Sequence, residues 1–150
     1  MASQTDYQFG PWYDNYGGWP IISMQAAGSI TKGQVVQLST GTYARGVVAY
    51  DGDAGITTPA IGVALNDASA GEMVSVLGSG PVMMLISGAG GCTSGQAAVV
   101  STAASEDGRV VSEAWADGTA MKAVLGTCLT TADTAGEYVA VLLHQFVVAI

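Results

Sequence analysis

The stretch IGVALNDASAGEMVSVL, residues 61–77, returns as LGTCLTTADTAGEYVAVL at residues 125–142. Gly62/Gly126, Leu65/Leu129 and Ala70-Gly71-Glu72/Ala135-Gly136-Glu137 match, as do Val74/Val139 and Val76/Val141. One residue is inserted in the second copy's turn. An earlier pair precedes each copy: ITKGQVVQLS (30–39) and CTSGQAAVVS (92–101) share Thr31/Thr93, Gly33/Gly95, Gln34/Gln96 and Ser39/Ser101. The two matches keep the same chain order and nearly the same offset, which is the signature of an internal repeat.

Each unit reads as strands. GQVVQLS and YARGVVAY are short β-branched runs. PAIGVAL and EMVSVL surround the polar turn NDASAG, and in EMVSVL the residues Val74 and Val76 alternate with Met73, Ser75 and Leu77, a period of two. In the second unit MKAVLGTCL, TTADTAG and EYVAVLLHQF repeat that hairpin, with short polar side chains and a Gly in the turn. PVMMLISGAGG opens with a strand. STAASEDGRVVSEAWADGTA is the place for a longer loop or short helix. The fold class expected is all-β: a small β-barrel or β-sandwich of roughly nine or ten short strands, built from two similar halves. The expected organisation is an irregular N-terminal arm over 1–20 and a single β domain over 21–150, with the repeat at about 28–77 and 90–142. Two similar halves imply pseudo-two-fold pairing. The runs VMMLI and YVAVLL are apolar on both faces, which fits either central strands or a subunit interface.

Composition agrees. Charged residues are 11% of the 150-residue chain and Gly contributes 21 positions, a balance suited to short strands and tight turns. The net charge is −8, with Lys32, Arg45, Arg109 and Lys122 the only Lys or Arg. No nucleic-acid partner is expected, because phosphate affinity needs clustered Lys and Arg. An acidic surface repels its own copies, so any assembly must be driven by apolar contacts. MASQTDYQ lacks the features of a secretory signal. The uncharged run from Met73 to Ser105 is interrupted by Gly78, Gly80, Pro81, Gly88, Gly90 and Gly91, and YVAVLLHQFVVAI is too short to span a bilayer as a helix, so no membrane partner is expected. The chain reads as soluble and made in the cytosol.

Catalytic constellations are not visible. His144 is the one histidine and lies in an apolar strand, so every Ser-His or Cys-His scheme would have to use it. Cys92 and Cys128 read as buried free thiols, and with His144 they show no zinc spacing. DGDAG (51–55) lacks the later ligands of a calcium loop and reads as a turn. SGAGGCTSG (87–95) lacks the Gly-Lys-Ser/Thr ending of a phosphate loop and reads as a flexible connection. Glu106/Asp107 and Asp51/Asp53 read as solvated turn carboxylates. The expectation is no enzyme, no metal and no cofactor.

From residue 28 to about 146 the pattern resembles the capsid decoration, or cement, proteins of tailed bacteriophages. The resemblance is carried by GSITKGQVVQLS, IGVALNDASAGEMVSVLGSGPV, TSGQAAVVS and VLGTCLTTADTAGEYVAVLL. It implies a small β-rich protein, often a homotrimer, on the outer capsid surface of the virion, made in the host cytoplasm. There it would bind the major capsid protein, bridge neighbouring copies of it and stabilise the shell.

The front of the chain departs from that pattern. DYQFGPWYDNYGGWP (6–20) holds six of the eleven aromatic residues: Tyr7, Phe9, Trp12, Tyr13, Tyr16 and Trp19. Ordering the stretch costs about 15–30 kcal/mol of backbone entropy. Burying six rings returns about 20–40 kcal/mol at most. The terms nearly cancel, so the stretch orders only where most rings meet a partner surface. These six residues are the candidate partner-binding site, an arm docking on a neighbouring subunit or the shell, since aromatic rings are favoured interface anchors. A fold-back that plugs its own barrel is the alternative. Two other functions fit the same features: a carbohydrate-binding module stacking sugars on Trp12, Tyr13, Tyr16 and Trp19, and a self-assembling surface or fibre protein.

Overall fold

A computed structural model describes residues 21–41, 43, 45–52, 59–78, 82–114 and 122–149. The candidate arm residues Tyr7, Phe9, Trp12, Tyr13, Tyr16 and Trp19 lie outside them. Ten strands are present among the described residues and no helix. The first half holds β1 (Ile21–Ala26), β2 (Val35–Leu38), β3 (Gly46–Ala49), β4 (Ala60–Ala64) and β5 (Met73–Leu77). The second holds β6 (Val82–Ile86), β7 (Ala97–Val100), β8 (Val110–Glu113), β9 (Lys122–Cys128) and β10 (Tyr138–Ala149).

The halves share one topology. The first is a closed barrel of order β1-β3-β2-β4-β5, with β1 pairing antiparallel to β5 and parallel to β3. The second runs β6-β10-β9-β7-β8, the same circular order, and the single parallel bridge Ser87↔Val110 stands where the first half pairs Ala26 with Val47. Equivalent registers fix the alignment: Ile22↔Val76 matches Met83↔Val141, and Val35↔Val63 matches Ala97↔Thr127. Even the bulge repeats, at Val36/Gln37 against β4 and at Ala98/Val99 against β9.

The repeated letters have identifiable work. In Thr-x-Gly-Gln the amide of Gln34 donates to Thr31 O at 3.0 Å, and that of Gln96 to Thr93 O at 3.2 Å. Gly33 and Gly95 turn the chain at φ of 89° and 86°, a conformation that side chains disfavour. In Ala-Gly-Glu the Glu72 carboxylate accepts the Ser69 amide at 2.7 Å, and Glu137 accepts Thr134 at 3.1 Å. Gly62 and Gly126 lie at the bulge, where an added Cβ would run into the carbonyls of Leu77 and Leu142.

Alternation sorts the strand residues into two cores. Val36, Ala64, Val74 and Val76 point into the first barrel with Met24, Ile30 and Val47. Their neighbours Val35, Val63 and Leu77 point the other way, and with Tyr50 and Leu65 they join the core of the second half, among Met83, Leu85, Val100, Leu125, Val139 and Val141. The first half therefore packs against the core of the second half's five-stranded sheet. Five large side chains crossing between halves, at about 1.5–3 kcal/mol each, contribute as much as the whole net stability of a small domain.

Three expectations are corrected. Pseudo-two-fold pairing would place equivalent surfaces against each other, whereas the contact is head to tail. The loop-or-helix region contains β8, whose Val110 is buried beside the bridge to Ser87. Residues 87–95 are not a flexible connection: the amides of Ser87, Gly88 and Cys92 donate to Glu137 O, Val110 O and Ala132 O at 2.7–2.8 Å.

Candidate functional site

The contact between halves is built around two turns. Gly33 lies against Tyr138, and an added Cβ would sit 2.9 Å from the ring and 3.1 Å from Ile86. The Tyr138 hydroxyl donates to Lys32 O at 3.4 Å; burial, and secondarily Asp67, push its pKa up. Backbone bonds stitch the seam: Ile86 N to Gly33 O at 3.2 Å, Val35 N to Gly108 O at 2.8 Å and Gly108 N to Tyr50 O at 2.8 Å. Tyr50 is 2% exposed and its hydroxyl has no hydrogen-bond partner among the described residues. Burial first, and the Asp51 charge second, raise its pKa.

Glu106 is not a solvated carboxylate. It is buried, accepting the Ser101 hydroxyl at 2.6 Å and the Ala89 amide at 2.6 Å. The Ser101 bond first, then the Ala89 amide and the Arg109 charge, hold its pKa below the usual value against the opposing effect of burial. It ties the turn before β8 to the turn after β6. Cys92 and Cys128 are free and buried. Cys92 donates to Val110 O at 3.5 Å, and the hydrogen bond with Cys128, then burial, push its pKa up. These thiols occupy the positions of Ile30 and Ala64 in the first half and serve as core. The side chain of His144 lies outside the described residues.

Among the described residues no cluster of three or more His, Cys, Asp or Glu can hold a metal, and no helix is long and apolar enough to cross a membrane. What stands out instead is apolar exposure. Ile21 (48%) and Ile22 (50%) open β1, next to the end of the aromatic stretch. Leu38, Met73, Leu129 and Leu142 are also exposed. The sequence reading did not single out these six. The signal available was in the repeat columns, where Tyr50 is answered by Glu113 and Val63 by Thr127, a sign that equivalent surfaces have different neighbours.

No protein-family model matches this sequence, and no curated protein matches it. The fold is similar to a solved crystal structure, the head fiber gp8.5 N base in bacteriophage phi29, with a TM-score of 0.61 at 16% identity, covering 85% of this chain and 95% of that chain. At that identity the likeness is one of fold.

Proposed function

We propose that this chain is a structural, non-enzymatic protein of a phage virion that binds the outside of the capsid and stabilises it by bridging major capsid proteins. The observation that carries the reading is the fold likeness to a phage head protein over nearly all of that neighbour's chain. Two further features support it. A low-charge surface with exposed Ile21 and Ile22 suits attachment through apolar contacts. The aromatic stretch runs directly into that exposed start of β1.

In this reading the arm, with Tyr7, Phe9, Trp12, Tyr13, Tyr16 and Trp19, docks on a neighbouring subunit, and the protein acts as a homo-oligomer, a trimer by resemblance. Binding only to assembled shells stabilises them by mass action. The test adds purified full-length chain, and a chain lacking residues 1–20, to capsids free of it. The full chain is expected to co-sediment with the shells and raise their heat-disruption temperature. The truncated chain is expected to fold with an unchanged melting temperature and to bind far less. A full chain that never co-sediments contradicts the capsid role; a truncated chain that binds equally contradicts the arm's part in it.

A further inference from the structure

The intramolecular contact has two faces, and each has an equivalent in the other half that carries exposed apolar side chains. The projecting face is Val35, Val63, Leu65 and Leu77 of the first half, all buried. Its equivalents by register are Ala97, buried at 4%, the half-buried Thr127, and Leu129 and Leu142, which are 43% and 36% exposed. The receiving face is the core side of the second half's sheet. Met83 (1%) and Val100 (4%) are buried there, and their equivalents in the first barrel are Ile22 (50%) and Leu38 (44%). Tyr138, which packs on Gly33, corresponds to Met73, 58% exposed. Five of the six exposed large hydrophobic residues among the described ones therefore fall on equivalents of this one interface.

We propose that these exposed apolar residues meet between copies: Leu129 and Leu142 of one chain seat on the Ile22/Leu38/Met73 end of the first barrel of a second copy. Each half's interface is then repeated from chain to chain, head to tail, as a heterologous contact that closes into a ring or extends. The backbone groups of Tyr50 and Gly108, which bond within the chain, correspond to those of Glu113 and Arg45. The first barrel keeps its own bond from Gln25 N to Arg45 O at 3.0 Å, where the second half gives Ile86 N to Gly33 O. That backbone bond of the seam therefore has no counterpart in the contact between copies.

The test is sedimentation of the full chain over a concentration series, with two double variants. Leu129→Ser with Leu142→Ser removes the projecting face, and Ile22→Ser with Leu38→Ser removes the receiving face. The native chain is expected to self-associate and each variant alone to weaken association at least tenfold. Mixed one to one, the variants retain one intact pair of faces, so a heterodimer that stops at two chains is expected. Circular dichroism and melting temperature close to native show that the variants fold. A native chain that stays monomeric at high micromolar concentration overturns the proposal, as do variants that associate normally. A full chain that is monomeric while removal of residues 1–20 releases self-association also overturns it, and assigns the barrel end to the chain's own arm. Each of these readouts is independent of whether the protein binds a capsid.

Discussion

Gly33 and Gly95 hold the same turn in the two halves, yet a Cβ added at Gly33 would lie 2.9 Å from Tyr138 while one added at Gly95 would meet nothing within 4 Å. Backbone conformation is common to both, at φ of 89° and 86°. The neighbour is not. Gly95→Ala is expected to cost about 1–2 kcal/mol, the strain of a positive φ alone. Gly33→Ala adds overpacking against Tyr138 and Ile86, for a total of about 2–5 kcal/mol. Urea denaturation of the two variants checks this; equal losses would show that the seam is not packed as described.

Tyr50 carries a hydroxyl into the shared core without a partner among the described residues. Tyr50→Phe removes the desolvation cost and keeps the ring, so it is expected to stabilise the protein by about 1 kcal/mol. The urea midpoint rises with an unchanged slope. A loss of stability would mean that the hydroxyl is bonded.

Glu106 makes stability depend on pH in a definite direction. Its pKa is lowered in the folded chain, so its contribution is present above the ordinary Glu value, about 4.3, and is lost as pH falls through the folded value. Glu106→Gln keeps the size and loses the charge. At pH 7 the variant is expected to be about 1–3 kcal/mol less stable. That gap narrows below about pH 4, where the native carboxyl also becomes protonated. Denaturation at pH 7 and pH 3 measures it, and a constant gap contradicts the role given to Ser101 and Ala89.

The two halves are expected to melt as one. Separating them exposes Val35, Tyr50, Val63, Leu65 and Leu77 together, at about 1.5–3 kcal/mol each. Calorimetry should give a single transition with equal calorimetric and van't Hoff enthalpies. Two resolved transitions would show that the seam is weak.

Much of this architecture was legible in the sequence because the repeated residues are those with local backbone duties. Gly33, Gly62, Glu72 and their equivalents recur because a turn, a bulge and an amide each require them. How the halves meet was less legible. Head-to-tail packing leaves its trace in the columns that differ, Tyr50/Glu113 and Val63/Thr127, whereas a search for repeats rewards columns that agree. Strand β8 was hidden because only four residues, Val110–Glu113, separate two polar stretches. Glu106 read as solvated because its partners Ser101 and Ala89 surround it only once β6 and β8 are bridged. The aromatic residues of 6–20 were conspicuous in composition, and they lie outside the described residues.

The central claim is that this chain is part of a phage particle, and its most direct test is on particles purified from the source of the sequence. They are banded on a density gradient, and this polypeptide is quantified against the major shell protein by mass spectrometry. The account predicts co-migration with the shell at a fixed ratio that survives repeated banding. Absence of the polypeptide from the banded particles would contradict it.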